Sequence, residues 1–225
     1  MRIEAIIFDV DNTLYDERQY VRSGFRAVSE YMAETLELNK DQLFRMLMST
    51  FLKRGRGEVF NIVLEELSIK NEETVQKMLN VYRNHPPIIK VFKDTKPILH
   101  KLRQRHRLGI ITDGVKRVQE IKIGALNIAG FFDVITYAVE YGGKDNNDVF
   151  LATLEKLKTT PSHTIYVDDN PTNAFSVAKE LGIHTVRMIK GEYGNTVPAN
   201  EESKPAFEVR NLKGIPGIVR YLESN

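Results

Sequence analysis

Two acidic residues near the amino terminus, Asp9 and Asp11, have the type and spacing that phosphoryl transfer requires. They follow Ile3 to Phe8, a short apolar run that is partly β-branched and typical of a buried strand reaching a polar edge. Because a strand places residues two apart on the same side, both carboxylates would face a common site. An ionised Asp9 beside a bound cation can attack phosphorus to give an aspartyl phosphate, while Asp11, partly protonated, donates a proton to the leaving oxygen.

Two other interpretations of the segment from Asp9 to Thr13 remain to be weighed. The same spacing begins an EF-hand calcium loop, but Leu14 stands where that loop needs a glycine and Tyr20 where it needs a bidentate glutamate. Two aspartates can also simply cap the turn after a strand. The other polar segments of the chain are therefore needed to distinguish a phosphoryl-transfer site from these two interpretations.

A hydroxyl and a glycine end a second apolar run, at Thr112, Asp113 and Gly114. The glycine lets backbone amides approach an anion closely, and Thr112 would bind a phosphoryl oxygen. The same residue types also form an ordinary capping turn before a helix, so this segment alone is a weak indication.

A lysine, Lys144, follows Gly142 and Gly143 just before a predicted helix. A surface lysine is usually only solvated. A phosphate site, however, needs a cation that holds the nucleophile close to the negatively charged phosphoryl group. Lys144 is the candidate for that role.

Adjacent aspartates, Asp168 and Asp169, follow another apolar run. Two such acids at a buried edge repel each other unless a cation sits between them or one of them is protonated. Mg²⁺ meets that condition, and its octahedral preference suits Asp9, Asp169 and a backbone carbonyl near Asp11. The competing interpretation is that Asp169 or Asn170 is only a helix N-cap.

The elements that must position these residues change character along the chain. From about Asp16 to Asn84 the pattern is helical, with apolar residues at three-and-four spacing. The prolines that follow His85 cannot continue a helix and indicate a domain border. After this border, strands and helices alternate. Strands are predicted at 108–112, 133–137, 164–167 and 185–188, and helices at 95–105, up to 126, 147–157, 171–181 and 214–223.

This alternation predicts an α/β fold with a Rossmann-like parallel sheet that carries helices on both faces. In such sheets ligands bind beyond the carboxyl ends of the strands. Asp9, Asp113 and the Asp168–Asp169 pair each lie at or just past such an end, so they should share one rim. The segment 191–205, rich in Gly, Asn, Glu and Pro, is predicted to be a loop on that rim.

Composition excludes several classes of function. The chain has 225 residues and 42% hydrophobic content, enough for one domain or for a domain with a smaller insert. A net charge of +2 gives no electrostatic case for nucleic acid, and the absence of cysteine excludes disulfides, thiolate metal sites and a cysteine nucleophile. No apolar stretch approaches the roughly 18 residues of a membrane-spanning helix, and the amino terminus lacks signal-peptide features. We expect a cytoplasmic protein, monomeric or homodimeric, with a small-molecule partner.

Together, the four polar segments resemble the motifs of the haloacid dehalogenase superfamily of phosphohydrolases, in the family's order and across the whole chain. Asp9 to Thr13 is similar to the first motif and Thr112 to Gly114 to the second. Lys144 with the helix after it is similar to the third, and Asp168 with Asp169 to the fourth. The resemblance implies that Asp9 is the nucleophile, that Asp11 is the general acid and base, and that a threonine and a lysine orient the phosphoryl group around Mg²⁺.

The resemblance also implies a domain division: a catalytic core formed by residues 1–14 and 93–225, and a C1-type helical cap formed by residues 15–92, which closes over the site and excludes water. From the residues and the resemblance together, the predicted catalytic residues are Asp9, Asp11, Thr112 and Lys144. The predicted phosphate-binding residues are Asp9, Val10, Asp11, Thr112, Asp113 and Lys144, and the predicted metal ligands are Asp9, Asp11, Asp168 and Asp169.

Two departures from the family pattern involve the third and fourth motifs. Asp145 follows Lys144 near the place where many relatives have a proline, and Ala174 stands where a further aspartate is frequent. The paired Asp168 and Asp169, with Asn173, is similar to pyrimidine nucleotidase relatives, which raises nucleoside monophosphates as substrates.

The predicted function is a Mg²⁺-dependent phosphatase that acts on a small phosphorylated metabolite. A 2-haloacid dehalogenase is one alternative, although the family's dehalogenases generally lack an acid at the position of Asp11. The other alternative is a phosphate-binding or interaction module that kept the fold and lost turnover, which the altered third and fourth motifs motivate.

Overall fold

The protein is described here by a computed structural model that covers residues 2–69, 71–172 and 174–225. The chain forms two compact units, Met1–Glu17 with Lys90–Asn225 and, separately, Arg18–Ile89. Each unit has buried apolar clusters of its own. Asn173, which contributed to the nucleotidase resemblance, lies outside the described residues.

The first unit is built on a parallel sheet whose strands run in the order β3-β2-β1-β4-β5-β6. Every neighbouring pair of strands is parallel. This architecture confirms the predicted α/β, Rossmann-like class. The strands are β1 (Ala5–Phe8), β2 (Arg107–Thr112), β3 (Val134–Tyr137), β4 (Thr164–Asp168), β5 (His184–Met188) and β6 (Phe207–Val209).

The helices fall into two groups along the chain. The first four belong to the separate helical unit, and the others connect or follow the strands. The helices are α1 (Arg18–Leu36), α2 (Lys40–Arg54), α3 (Val59–Glu66), α4 (Glu72–Asn84), α5 (Thr95–Arg103), α6 (Lys116–Leu126), α7 (Asn147–Leu157), α8 (Ala174–Glu180) and α9 (Ile215–Ser224).

Strand β1 lies in the middle of the sheet and fixes where the acidic residues meet. It pairs with β2 on one side and β4 on the other, and all four of its residues are buried. Phe8 is in register with Ile110 of β2 and Val167 of β4. Because parallel strands end at the same edge, the residues that follow these three strands come together there.

Packing of helices on the sheet is tight where a small residue allows it. Helix α7 packs against β2 and β3, α8 against β5, and α5 against β2. At Gly109 of β2, an added Cβ would lie 2.9 Å from Cδ1 of Leu157 in α7. A larger residue there would require the end of the Leu157 side chain to shift.

The connection between β1 and the rest of the sheet unit is itself hydrogen bonded. Tyr15 forms an antiparallel bridge with Val91, and the Phe92 N–H donates to the Leu14 carbonyl at 3.0 Å. The Thr95 hydroxyl donates to the same carbonyl at 2.8 Å. The segments that precede and follow Arg18–Ile89 are therefore joined to each other.

The core of the helical unit is formed in part by the apolar face of the amphipathic helix α1. Its apolar stripe, with Phe25 and Val28 as central members, is buried in a cluster to which α2, α3 and α4 also contribute. Asparagines cap two of these helices: the side chain of Asn39 accepts a hydrogen bond from the Gln42 N–H at the start of α2, and Asn71 does the same at the start of α4.

Some predicted boundaries are wrong by a few residues. Helix α8 begins at Ala174 and not at Pro171, because the Asn170 side chain accepts hydrogen bonds from the N–H and hydroxyl of Thr172 and holds that segment in a turn. Strand β6, which the sequence analysis did not predict, is a three-residue edge strand without an apolar run. The predicted loop at 191–205 is confirmed, since its residues form no helix or strand. Among the described residues, no helix is both long and apolar enough to cross a membrane.

Candidate active site

Asp9 is the first residue after β1 and lies at the carboxyl edge of the sheet. Its backbone N–H donates to the carbonyl of Val167 at 2.9 Å, which continues the pairing of β1 with β4. Its side chain is only 6% exposed, and the following Val10 is fully buried. The position of the Asp9 carboxylate is thus set by the central strand of the fold.

Lys144 connects two acidic residues of this edge. Its ammonium donates hydrogen bonds to Oδ1 of Asp9 and, at 3.0 Å, to Oδ2 of Asp168. Gly142 and Gly143, which precede it, have φ angles of 85° and 122°. These angles favour glycine, and they turn the chain so that the lysine reaches the strand ends.

The two adjacent aspartates have different surroundings. Asp168 accepts hydrogen bonds from the hydroxyl of Tyr166, from Lys144 and, at 3.0 Å, from the backbone N–H of Asn170. In contrast, the buried Oδ2 of Asp169 has no hydrogen-bond partner within the described part of the chain. A buried polar oxygen without a partner is costly, so Asp169 is suited to a ligand that supplies positive charge.

The carboxylates of Asp9, Asp168 and Asp169 form a group that fits a divalent cation. One oxygen from each lies within 4.8 Å of the others, and all three residues are buried. Magnesium prefers oxygen donors and takes one or two carboxylates with waters and phosphate oxygens. The unpartnered Oδ2 of Asp169 and the close Asp9 carboxylate meet this requirement. Among the four predicted ligands, Asp11 does not contribute its carboxylate to this group.

The electrostatics of the group also favour a cation. Burial raises the pKa of Asp9, the charge of Lys144 opposes this, and the carboxylates of Asp168 and Asp11 add to it, so that the pKa of Asp9 is about 8. Burial, followed by the carboxylates of Asp168 and Asp9, raises the pKa of Asp169 to about 10. These neighbouring acids raise the pKa of Lys144 above its ordinary value, although burial opposes this. One ammonium does not balance three crowded carboxylates, and a divalent cation would.

Asp11 lies beside the group and is held by other side chains. Its Oδ1 accepts from the Tyr15 hydroxyl at 2.6 Å, its Oδ2 accepts from Nε2 of Gln119 at 3.2 Å, and the Lys122 ammonium donates to both oxygens at 2.9 and 2.8 Å. Burial alone would raise the pKa of Asp11, but the charge and hydrogen bonds of Lys122 outweigh burial and lower it.

The second predicted motif is divided between a buried and an exposed residue. Thr112 is buried at the end of β2, and its hydroxyl donates to Oε1 of Gln119 at 3.0 Å. Asp113 is exposed and accepts a hydrogen bond from the Gly114 N–H at 2.7 Å. Gly114 has a φ of 98°, a backbone conformation that favours glycine.

A pocket of about 140 Å³ opens at this edge of the sheet unit. Six acidic side chains and the ammonium of Lys144 line it among the described residues, so its interior is strongly negative. The lining acids are Asp9, Asp11, Glu17, Asp113, Asp168 and Asp169, and the other lining residues are Asn12, Asn170, Ala174 and Tyr193.

Tyr193 reaches the pocket from the predicted rim loop, which a buried arginine holds. Arg187 of β5 donates to the carbonyls of Tyr193 and Thr196 at 2.6 and 2.7 Å. Gly191 of the same loop has a φ of 66° and packs against the side chain of Asn12. The loop is thus fixed to the sheet at one point and to the turn after Asp11 at another.

Four further residues of the site, Glu17, Gln119, Lys122 and Tyr193, were not predicted from the sequence. A signal was present for two of them, because Gln119 and Lys122 lie on the same buried face of α6 as Val118 and Ile123. A lysine among core-facing positions of a helix needs a buried acidic partner, although the sequence pattern does not say which acid that is.

Comparison with known proteins agrees with this architecture. The sequence profile described as "Haloacid dehalogenase-like hydrolase" matches residues 6–188. The chain is 29% identical over 230 residues to a glyceraldehyde 3-phosphate phosphatase of Methanopyrus kandleri, with 98% of each chain covered. It is 27% identical to the protein of the same name from Methanocaldococcus jannaschii, over 99% of this chain and 100% of that relative.

A solved structure shows the same fold. The HAD-hydrolase YfnB of Bacillus subtilis, determined with bound magnesium, superposes with a TM-score of 0.73 over 97% of this chain and 99% of that one, at 20% identity. At this identity the likeness concerns the fold. Because the family profile covers most of the chain, the protein belongs to the haloacid dehalogenase-like hydrolases.

Proposed function

We propose that this hydrolase is a Mg²⁺-dependent phosphatase that acts on a small phosphorylated metabolite through an aspartyl phosphate on Asp9. The observation that carries the proposal is the arrangement of the Asp9 carboxylate, which lies at the central strand end beside Lys144, Asp168 and Asp169. The names of the relatives in Methanopyrus kandleri and Methanocaldococcus jannaschii support a phosphorylated three-carbon substrate such as glyceraldehyde 3-phosphate.

The first chemical step forms a bond from an Asp9 carboxylate oxygen to phosphorus and breaks the bond from phosphorus to the substrate oxygen. Asp11, whose pKa Lys122 lowers in the free protein, takes up a proton as the anionic phosphoryl group binds beside it, and gives that proton to the leaving oxygen, so the product departs as an alcohol. Lys144 keeps Asp9 in place and offsets negative charge as the phosphoryl group approaches. The amides near Gly114 bind phosphoryl oxygens, and the Thr112 hydroxyl joins them by turning from Gln119 to the phosphoryl group.

The second step hydrolyses the aspartyl phosphate. A water molecule attacks phosphorus while Asp11 takes one of its protons, and the bond between phosphorus and the Asp9 oxygen breaks. Inorganic phosphate leaves and Asp9 is again a carboxylate. The same carboxyl group of Asp11 therefore acts as acid in one step and as base in the next.

Mg²⁺ is part of the proposal, with Asp9 and Asp169 as carboxylate ligands and Asp168 beside them. When bound, the ion supplies positive charge that offsets the repulsion between the carboxylates and a phosphate dianion. The strongly negative pocket makes this charge necessary, because Lys144 is the only basic side chain that lines it in the part of the chain that the structure describes.

We also propose that the helical segment 15–92 serves as the cap domain that selects the leaving group. Helical caps of this kind exclude water from the reacting group when a substrate binds. Nucleoside monophosphates remain candidates next to three-carbon esters, since both present an alcohol oxygen as leaving group.

The test is a phosphate-release assay with glyceraldehyde 3-phosphate and a panel of phosphate monoesters, in Mg²⁺ and in EDTA. We expect Mg²⁺-dependent release of phosphate that Asp9→Asn abolishes, and, after rapid acid quenching, a phosphoryl group on the wild-type peptide that contains Asp9. Asp148→Asn, on an exposed position of α7, is the control and retains activity. Release of chloride from 2-chloropropionate without Mg²⁺ would instead identify a dehalogenase. Loss of turnover on every ester would favour a binding module.

A further inference from the structure

The carboxylate of Asp11 accepts hydrogen bonds from side chains that lie outside the predicted motifs. Lys122 of α6 donates to both of its oxygens, and Gln119, one turn earlier on the same helix, donates to Oδ2. Tyr15 adds a short hydrogen bond of 2.6 Å to Oδ1. Every oxygen of Asp11 thus has at least two donors, and all donors come from the sheet unit.

Lys122 is an unusual residue for the inner face of a helix. It is 3% exposed, and apart from Gln119 the buried residues on that face are apolar. Burial of an ammonium is costly unless it is paired and hydrogen bonded. Its ammonium is shared between Asp11 and, at 3.4 Å, Glu17, so the pairing is made with residues that line the pocket.

Gln119 links the hydrogen bonds at Asp11 to the predicted phosphate-binding segment at Thr112. Its Oε1 accepts from the hydroxyl of Thr112 at 3.0 Å, and its Nε2 donates to Asp11. Helix α6 therefore fixes the orientation of Asp11 and of Thr112 together.

We infer that Lys122 is a positioning residue for proton transfer: it holds the Asp11 carboxylate where that group exchanges a proton with the substrate's leaving oxygen. The inference rests on the proposed phosphatase function. It assigns to Lys122 a role that depends on the leaving group, because an alkyl alcohol needs protonation as it departs whereas p-nitrophenolate departs without it. A lysine that served only to stabilise the fold would affect both kinds of substrate equally.

The experiment compares wild type, Lys122→Met and Lys122→Arg on glyceraldehyde 3-phosphate and on p-nitrophenyl phosphate at saturating Mg²⁺. We expect Lys122→Met to reduce kcat/KM on the alkyl ester by a factor on the order of 10² or more, with a much smaller reduction on the aryl ester. Lys122→Arg should recover part of the alkyl activity. Asp11→Asn should likewise lose much more kcat/KM on the alkyl ester than on the aryl ester, which is the same split between substrates. Adding Lys122→Met to Asp11→Asn should change these kcat/KM values little.

Tyr15→Phe is the second variant, because it removes one hydrogen bond to Asp11 with almost no change in volume and keeps the buried charges paired. It should show a smaller split in the same direction. Lys156→Met is the matched control: this lysine lies on the surface of α7, where it donates to the Tyr141 hydroxyl, and its loss should leave both rates unchanged.

Equal losses on both esters in Lys122→Met and in Tyr15→Phe, with an active wild type, would overturn the inference and leave the proposed function intact. A wild-type protein that hydrolyses neither ester in Mg²⁺ would overturn the proposed function, and the inference with it. If Lys122→Met does not fold, the split in Tyr15→Phe decides.

Discussion

Lys144 and Asp168 form a buried ion pair of 3.0 Å although they are far apart in sequence, and the same ammonium also holds Asp9. Lys144 thus offsets the charge of the proposed nucleophile and of a neighbouring acid at once. A buried charge without a partner is strongly unfavourable. The ammonium of Lys144 therefore lowers the electrostatic cost of placing these carboxylates close together.

Lys144→Met should abolish most of the activity while the fold is retained. Removal of one group that offsets transition-state charge typically costs about 10²–10³ in kcat, and Lys144 in addition orients the nucleophile. Steady-state kinetics on the best ester measures the loss, and circular dichroism checks the fold. A variant with more than about a tenth of the wild-type kcat would contradict the role of Lys144.

Binding of Mg²⁺ should release protons and should strengthen as the pH rises. In the metal-free protein, burial and neighbouring acids raise the pKa of Asp9 to about 8 and that of Asp169 to about 10, so protons occupy these carboxylates near neutral pH. The ion has to displace them, and affinity therefore falls as the pH falls. Calorimetric titration in two buffers with different ionisation enthalpies measures the release.

The matched control for this experiment is Asp169→Asn, which removes one ligand and its proton. It should bind Mg²⁺ more weakly and release fewer protons. A binding enthalpy that is the same in both buffers for the wild type would show that no proton leaves, which is inconsistent with the assigned ligands.

His85 should make the protein less stable in mild acid. Burial lowers the pKa of His85 below the ordinary value of 6.5, and its Nε2 has no hydrogen-bond partner within the described part of the chain. The unfolded chain therefore binds a proton more readily than the folded one, so this contribution to stability is present above about pH 6.5 and is lost as the pH falls.

Urea unfolding on either side of that pH measures the effect. In His85→Gln the free energy of unfolding should depend less on pH over this interval, even if it is lower throughout. His100→Gln, at an exposed position of α5, should keep the wild-type dependence. An unchanged slope in His85→Gln would assign the acid sensitivity to other groups.

Gly191→Ala should impair both the rim loop and catalysis. Gly191 has a φ of 66°, and an added Cβ would lie 2.4 Å from Cγ of Asn12. The backbone conformation alone costs a residue other than glycine roughly 1–2 kcal/mol, and the clash displaces the turn that follows Asp11. We expect a lower Tm and a lower kcat/KM. Gly194→Ala, whose added Cβ has only ordinary contacts at 3.5 Å, should change neither.

Much of the sheet and of its acidic edge was predictable from sequence, because both depend on the order of strands. An apolar run that ends in an acid places that acid at a strand end, and parallel strands bring their carboxyl ends to one edge. Asp9 and Asp168 follow this rule, since each lies at the end of one of two paired strands, β1 and β4.

The hydrogen bonds from α6 to Asp11 were not predicted, because they depend on which face of that helix packs against the sheet unit. Periodicity marks Val118 and Ile123 as core residues, but it does not say that a lysine between them reaches across to a particular carboxylate. Strand β6 was not predicted because it also depends on tertiary contacts. Its three residues form a strand by pairing with β5, and they have no apolar pattern of their own that would indicate one.

The bridge between Tyr15 and Val91 has a consequence for how such proteins diversify. Since the two ends of the inserted segment are fastened to each other, its length and sequence can vary without pulling on the sheet, and closure of a longer insert adds little entropic cost. Under the role proposed for the insert, exchange of the whole segment between homologous chains at this junction should change substrate preference while the sheet unit stays the same.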